Sequence, residues 1–409
     1  MSASLMILAA ALFFGCNEAP TELGSSLITD TVAVYPLSSS EHKLITRSDP
    51  FFAKPQSANV GVIYQGKYKD LNTLTLITFQ GSLPDTLSGL TPDEIRSVEL
   101  LLYPMNYRYG DTNSPVFNYS LLEPTGNWSV ETDWEEARNL INGDIYKTLD
   151  GLPELSSDTT EQIIEINTAL FKQRLIRWLN DEKRYADATT EERDTITRDN
   201  NGLLLLASEN TNVVQRYYSQ GIGKSGRPQP TLRFIVDRGA GPDTIVTPSS
   251  IDMTLADSDT PPENSFYVQG LVRYQTRLYF DLSMIPPEAG IHQAMLQIHY
   301  DTENSFFSNQ GIDSTLRAEF YADDEETTLS NYYLGGLKQG TMIYEFPSIT
   351  SAAQSWIRNG GKGYLRFMYN GVIDDYEPDK LVIHGPDGED PEKRPSLRII
   401  YSIFEKKDQ

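Results

Sequence analysis

The chain carries one cysteine and four histidines in 409 residues, and 34 basic against 57 acidic side chains. Each scarcity removes a class of function. A single cysteine, Cys16, cannot build an internal disulfide framework. Metal centres draw on clustered ligands, yet His42, His292, His299 and His384 sit neither at i,i+4 nor beside the cysteine. His292 and His299 share a predicted strand at an odd separation, which alternation sends to opposite faces. A formal charge of −23 repels phosphate backbones and argues against nucleic acid as a partner. It also disfavours lying flat on an anionic lipid surface.

What is present fits an ordinary globular protein: 39% hydrophobic and 22% charged residues, with length for two or three domains. The apolar run from Leu5 to Gly15 is too short to span a bilayer but suits a signal-peptide h-region. The segment Leu12-Phe13-Phe14-Gly15-Cys16 resembles a bacterial lipobox, with Phe14 where a smaller residue is usual and no Lys or Arg before the run. The resemblance implies a signal peptide over 1–15 and Cys16 as the acylated first residue of the mature chain. Residues 16–43 then read as a flexible tether. Its early Glu18 and Glu22 resemble the export signal of surface lipoproteins in the Bacteroidetes.

The main organising signal is an internal repeat. Ile95–Pro104 and Ile291–Tyr300 are apolar at the first, fourth, sixth and eighth positions, with strand-like alternation among the last three. Each follows a second matched strand, Leu76–Phe79 or Arg277–Phe280, and a turn carrying Leu83-Pro84 or Ile285-Pro286. Ile164–Asn167 matches Tyr344–Pro347. Both lead into a predicted amphipathic helix, striped by Leu170, Phe171, Leu175, Trp178 and Leu179 or by Ile349, Ala352, Ala353, Trp356 and Ile357, with Thr168 and Ser348 as expected caps. A glycine-opened strand follows (Gly202–Leu206, Gly363–Phe367), and each copy closes on Pro-x-Leu-Arg at Pro230–Arg233 and Pro395–Arg398. Gln65-Gly66 and Gln269-Gly270 are a further matched pair. The expected fold class is all-β: two tandem antiparallel β-sandwich, jelly-roll-like domains, each with one short amphipathic helix. The predicted boundaries are 44–237, with an exposed insertion at 181–200, a linker at 238–243, a second domain at 244–404 and a tail at 405–409.

Catalytic constellations are scarce. Gly221-Ile222-Gly223-Lys224-Ser225-Gly226 spells a dinucleotide pattern, but Arg227, Pro228 and Pro230 follow it, so no helix starts there to meet a phosphate. No Gly-x-Ser-x-Gly elbow exists. Glu165 and Glu345 occupy matched places in two different copies, which suits a shared structural job better than a carboxylate pair. The reading is therefore not an enzyme, with no cofactor. A weak structural calcium remains open at Asp257-Ser258-Asp259, Asp323-Asp324-Glu325-Glu326 or Asp387-Gly388-Glu389-Asp390. Candidate ligand or partner aromatics are Tyr107 with Tyr109, and the doublets Tyr217-Tyr218, Phe306-Phe307 and Tyr332-Tyr333, one ring of each doublet facing outward. Trp128 and Trp134 are expected to pack in the core or at its rim.

The order of landmarks resembles the jelly-roll modules found beside bacterial carbohydrate-active enzymes. Cys16, Leu23–Leu27, Ser48–Phe52 and Ser265–Gly270 resemble a lipoprotein family of unknown function from the Bacteroidetes, although family members usually carry Gly where this chain has Phe52 or Ala53. The resemblance implies a lipoprotein of the outer membrane, facing the cell surface and held to the membrane through the N-terminal lipid only. The expected function is non-enzymatic binding or scaffolding among envelope proteins. The alternative is a glycan-binding surface lipoprotein that uses outward aromatics.

Overall fold

A computed structural model describes residues 30–53, 58–155, 160–193, 200–221, 228–258, 266–321, 326–370 and 377–406. Cys16, the predicted signal peptide, the glycine-rich stretch after Gly221, Asp259 and Asp323-Asp324-Glu325 lie outside the described residues. In chain order the strands begin with β1 (Asp30–Ser38), β2 (Ile45–Phe52), β3 (Val60–Tyr68), β4 (Leu71–Phe79), β5 (Ile95–Leu102) and β6 (Pro104–Gly110). Next come β7 (Asn118–Leu122), β8 (Ile145–Asp150), β9 (Gln162–Glu165), β10 (Leu203–Ala207), β11 (Val213–Gly221), β12 (Thr231–Asp237) and β13 (Pro242–Asp257). The rest are β14 (Tyr267–Gln269), β15 (Tyr274–Asp281), β16 (Gly290–His299), β17 (Thr315–Tyr321) and β18 (Leu329–Leu337). They end with β19 (Ile343–Phe346), β20 (Lys362–Tyr369), β21 (Lys380–Val382) and β22 (Ser396–Lys406). The helices are α1 (Trp134–Arg138), α2 (Ala169–Asp187), α3 (Thr190–Arg193) and α4 (Thr350–Arg358). The protein is mostly β, and its sheets are antiparallel.

Local chemistry accounts for the elements. In β5, alternation buries Val98, Leu100 and Leu102, the signature of a strand with one face on a core. β4 is buried along both faces, with Leu74, Thr75, Leu76 and Ile77 all inside. Helix α2 buries Phe171, Leu175, Trp178 and Leu179 at the spacing that keeps one helical face inward, whereas Leu170, expected in the stripe, falls off that face and is exposed. Thr168 caps it by accepting a hydrogen bond from the Phe171 amide at 3.2 Å. At α4 the expected cap differs: the Ser348 hydroxyl meets that of Thr350 at 3.1 Å. α2 continues through Asp187 and is followed by α3, so much of the predicted exposed insertion is helical.

The strands fall into two sheet systems whose pairings retrace one another. In the first, β4 lies beside β10 and β13; in the second, β15 lies beside β20 and β2. β10 leads on to β7 and β8 as β20 leads to β17 and β18. β12 runs between β5 and β13 as β22 runs between β16 and β1. β9 closes on β5 as β19 does on β16. Gln65 and Gln269 are buried at matching places on β3 and β14.

The leading strands, however, are exchanged. β1 and β2 precede the first unit in the chain but pair with β22 and β15 of the second, for example Val34 with Ser402 and Asp49 with Arg277. β13 precedes the second unit but pairs with the first. Its early part runs beside β12 (Pro242 to Pro248) and its later part beside β4 (Ser249 to Asp257). One long strand thus does in one unit what β1 and β2 do together in the other. The predicted boundaries at 44–237 and 244–404 are corrected accordingly: the first unit spans β3–β13, and the second comprises β1, β2 and β14–β22. Part of the predicted tether, Asp30–Ser38, is strand β1. The predicted linker at 238–243 is a tight hairpin between β12 and β13, closed by Asp237 opposite Pro242. Gly239 and Gly241 take φ of 93° and 115° there, where a Cβ would be strained.

Each unit wraps its own core. Ile77, Leu100, Leu121, Trp178, Leu205 and Phe234 share one cluster. In the other, Leu37, Leu44 and Ile45 from the N-terminal segment are buried with Leu296, Phe346 and Phe367. Removing residues 30–52 strips β22 and β15 of a neighbour and takes three buried aliphatics from that core. Hydrogen exchange on such a truncation is expected to show lost protection across 266–406 while 58–257 stays protected. Uniform protection in both units would refute the exchange.

Candidate functional site: a cleft at the seam between the units

A third apolar cluster lies on the seam. Val62, Tyr64, Tyr107, Tyr109 and Val214 of the first unit pack with Leu271 and Val272 of the second, with Tyr274 and Phe306 at the margin. Polar pairs bind the same surface. The Tyr107 hydroxyl donates to Asp379 Oδ1 at 2.7 Å, and Arg216 pairs with Glu377. The guanidinium of Arg216 also sits 4.2 Å from the centre of the Tyr107 ring. Asn309 exchanges bonds with the Arg108 backbone, accepting from its amide at 2.8 Å and donating to its carbonyl at 2.9 Å. Gln310 donates to the Asn106 carbonyl at 2.6 Å. Lys69 Nζ lies 3.1 Å from the centre of the Phe306 ring. Apolar burial with satisfied polar pairs is the composition of a stable interface.

Asp379 is the most perturbed carboxyl in this seam. Burial pushes its pKa up to about 7, and the nearby Glu377 carboxylate adds to the shift. Hydrogen bonds from Tyr107 and the Ser308 amide, and the charge of Arg216, oppose it. Tyr109 and Tyr369 also face it, and its charge helps to raise both of their pKa values.

Beside this seam opens a cleft of about 460 Å³. The second unit contributes Phe52 at the end of β2, then Val272 and Tyr274. The first unit contributes residues 130–135, leading into α1, and 255–258 at the end of β13. Phe52, at the end of β2 in the second unit, and Ser258, just after β13 in the first, both line the cleft. Phe52 is 56% exposed, and its ring centre lies 5.5 Å from that of Tyr274 at 59°. Trp134 forms the opposite wall and also lines a second cavity of about 350 Å³ with Lys67, Arg138 and Glu209. Carboxylates of Glu131, Asp133, Glu135 and Asp257 stand around the cleft. Several lining groups are held in place: Asp133 caps α1 by accepting from the Glu136 amide at 2.9 Å, and Ser258 donates to Asp70 at 2.9 Å. The Tyr274 hydroxyl reaches the Ser258 carbonyl at 3.4 Å, joining the two walls. Three aromatic residues, aliphatic walls and acceptor oxygens can hold a small polar ligand with apolar faces. Phe52, Trp134 and Tyr274 come from segments far apart in sequence, so no local motif marked them.

None of the eight predicted aromatics lines this cleft, although Tyr217-Tyr218 and Tyr332-Tyr333 each set one ring in a core and the other further out. Tyr217 is buried in the core of the first unit, while Tyr107 and Tyr109 are buried in the seam. Tyr333 is buried in the core of the second unit. Phe306 packs at the seam, and Phe307 against the second core. Tyr218 is half-buried, and Tyr332 alone of the eight is largely exposed. Glu165 and Glu345 occupy matched registers opposite Glu99 and Gln297, one in each unit. The Glu326 carboxylate is taken up by Arg277, Arg366 and Tyr364. Among the described residues no three His, Cys, Asp or Glu side chains gather as metal ligands, and no helix is long and apolar enough to cross a membrane.

No family model and no curated protein matches the chain. Among solved structures, one aligned chain, from the structure of infectious bursal disease virus Gx strain, is 8% identical over 95% of this chain and 80% of that chain. Its TM-score of 0.11 carries no argument about fold or function.

Asp379 makes the seam sensitive to pH. A carboxyl whose pKa rises from near 4 when unfolded to about 7 when folded binds an extra proton in the native state. Its stabilising contribution is complete below about pH 4 and is lost as pH rises towards 7. Asp379→Asn retains an acceptor for Tyr107 and Ser308. Thermal melts are expected to show the variant gaining on the parent chain steadily from pH 4 to pH 8; a constant offset contradicts the assignment.

Proposed function

We propose that this chain is a non-enzymatic, lipid-anchored envelope protein that binds glycans in the cleft between two jelly-roll-like units. The observation that carries the reading is the cleft itself, a space of about 460 Å³ lined by Phe52, Trp134 and Tyr274 together with four acidic residues. Aromatic faces stack on the C–H faces of sugar rings, and carboxylate oxygens accept sugar hydroxyls through charge-assisted bonds. The four acidic groups favour neutral or amino sugars over uronic or phosphorylated ones. The seam supports the same reading, because a prearranged site spends less of its binding energy on ordering. Acylation of Cys16 places the cleft at the outer membrane, facing the cell surface.

Protein docking is the second reading, and a separate surface favours it: Leu329, Tyr332 and Leu334 are exposed on β18. Crosslinking in the native membrane distinguishes the readings by whether a partner joins at β18.

An array of neutral, amino and acidic glycans is expected to retain neutral or amino sugars and to leave them uncleaved. Phe52→Ala and Tyr274→Ala are each expected to weaken binding about tenfold, near 1.4 kcal/mol, with Tyr332→Ala neutral. An array without binders, or equal effects at all three positions, sinks the glycan reading. Cys16→Ser is expected to move the protein from the membrane to the soluble fraction.

A further inference from the structure

The outer face of β1 and β22 differs from the rest of this acidic molecule. Val32 stands opposite Phe404, Val34 opposite Ser402, and Pro36 opposite Ile400. Alternation turns these side chains away from the core, which takes Leu37, Leu397 and Ile399 instead. Val32, Val34 and Phe404 are 55%, 59% and 70% exposed. From Val32 to Ser38 and from Arg398 to Phe404, Arg398 carries the sole charge on this face. β1 also ends its sheet path.

The other unit supplies an internal control. β12, the counterpart of β22, turns Arg233 outward to Glu99 at 2.7 Å. It ends at Asp237, which pairs with Arg96. Pro230–Arg233 and Pro395–Arg398 align, so Arg233 and Arg398 share one place. Past it β12 ends at Asp237, the counterpart of Ser402, while β22 runs on to the exposed Phe404, so an apolar end is not a requirement of the architecture. Side chains of this kind exposed together mark a contact surface.

Position names the occupant. Asp30, the first residue of β1, stands fourteen residues after Cys16, a span of at most about 50 Å when fully extended. This face therefore belongs to the first strand that follows the anchor. We infer that the β1–β22 face rests on the lipid surface to which Cys16 is tethered, with Val32, Val34, Ile400 and Phe404 entering the interface between headgroups and acyl chains. The inference rests on the anchored reading of the chain. Net charge disfavours contact between most of the molecule and anionic lipid, but from Val32 to Ser38 and from Arg398 to Phe404 this face carries no carboxylate, Asp30 and Glu41 standing at its edges.

Cys16 is the sole cysteine, so a maleimide lipid fixes the mature chain to vesicles whether or not a cell acylates it. Val34→Trp and, as a control on the other unit, Val246→Trp are each tethered to phosphatidylcholine vesicles containing brominated lipid. Quenching beyond the native tryptophan background is expected to be at least about threefold greater at position 34. Equal quenching at the two positions, or a dimer that covers position 34 without quenching, overturns the docking face. The intact mass of protein taken from its native membrane tests acylation separately, so failure of the anchor and failure of the face are told apart.

Discussion

The structure depends on an exchange of leading strands. β1 and β2 complete the second unit, and β13 completes the first. The second sheet system draws its strands from two separate stretches of sequence, with β3–β13 lying between them. Antiparallel pairing over nine residues joins β1 to β22, and core burial of Leu37, Leu44 and Ile45 adds about 1.5–3 kcal/mol for each side chain removed from water. Every ladder among the described strands lies within one unit, so the two units are joined by the chain that runs from β2 to β3 and from β13 to β14 and by the apolar contact between them.

That linkage gives the seam its character. An interface held only by surface side chains would leave the units free to move. Here the apolar cluster around Tyr64 and Tyr107 and the Arg216–Glu377 and Tyr107–Asp379 pairs lie in one region. Burying Asp379 keeps its carboxyl partly protonated near neutrality, which links the fit of the two units to pH through one side chain. The cleft inherits its shape from this arrangement, because one wall ends β2 and the other ends β13.

Repetition with divergence explains the surfaces. The units share their pairing scheme, yet β12 ends at Asp237, which pairs with Arg96, while β22 continues to the exposed Phe404. Core positions stay apolar in both copies because packing leaves little freedom. Outward positions are constrained only by what they meet, so the differences between copies point to where each unit makes contact.

The sequence alone determined the strand-rich class, the paired landmarks from Ile95 and Ile291 onward, the helix stripes and the acidic surface. These are local properties, read from alternation, 3.6-residue spacing and charge. Tertiary structure decided which sheet each leading strand joins, since β2 and β13 offer an apolar face that suits either unit, and alternation records the face without the neighbour. It also decided the fate of the aromatics: a tyrosine doublet shows that one ring points inward, but not that Tyr107 and Tyr109 meet a second unit. The cleft was illegible for the same reason, because Phe52, Trp134 and Tyr274 are brought together only by the exchange of strands.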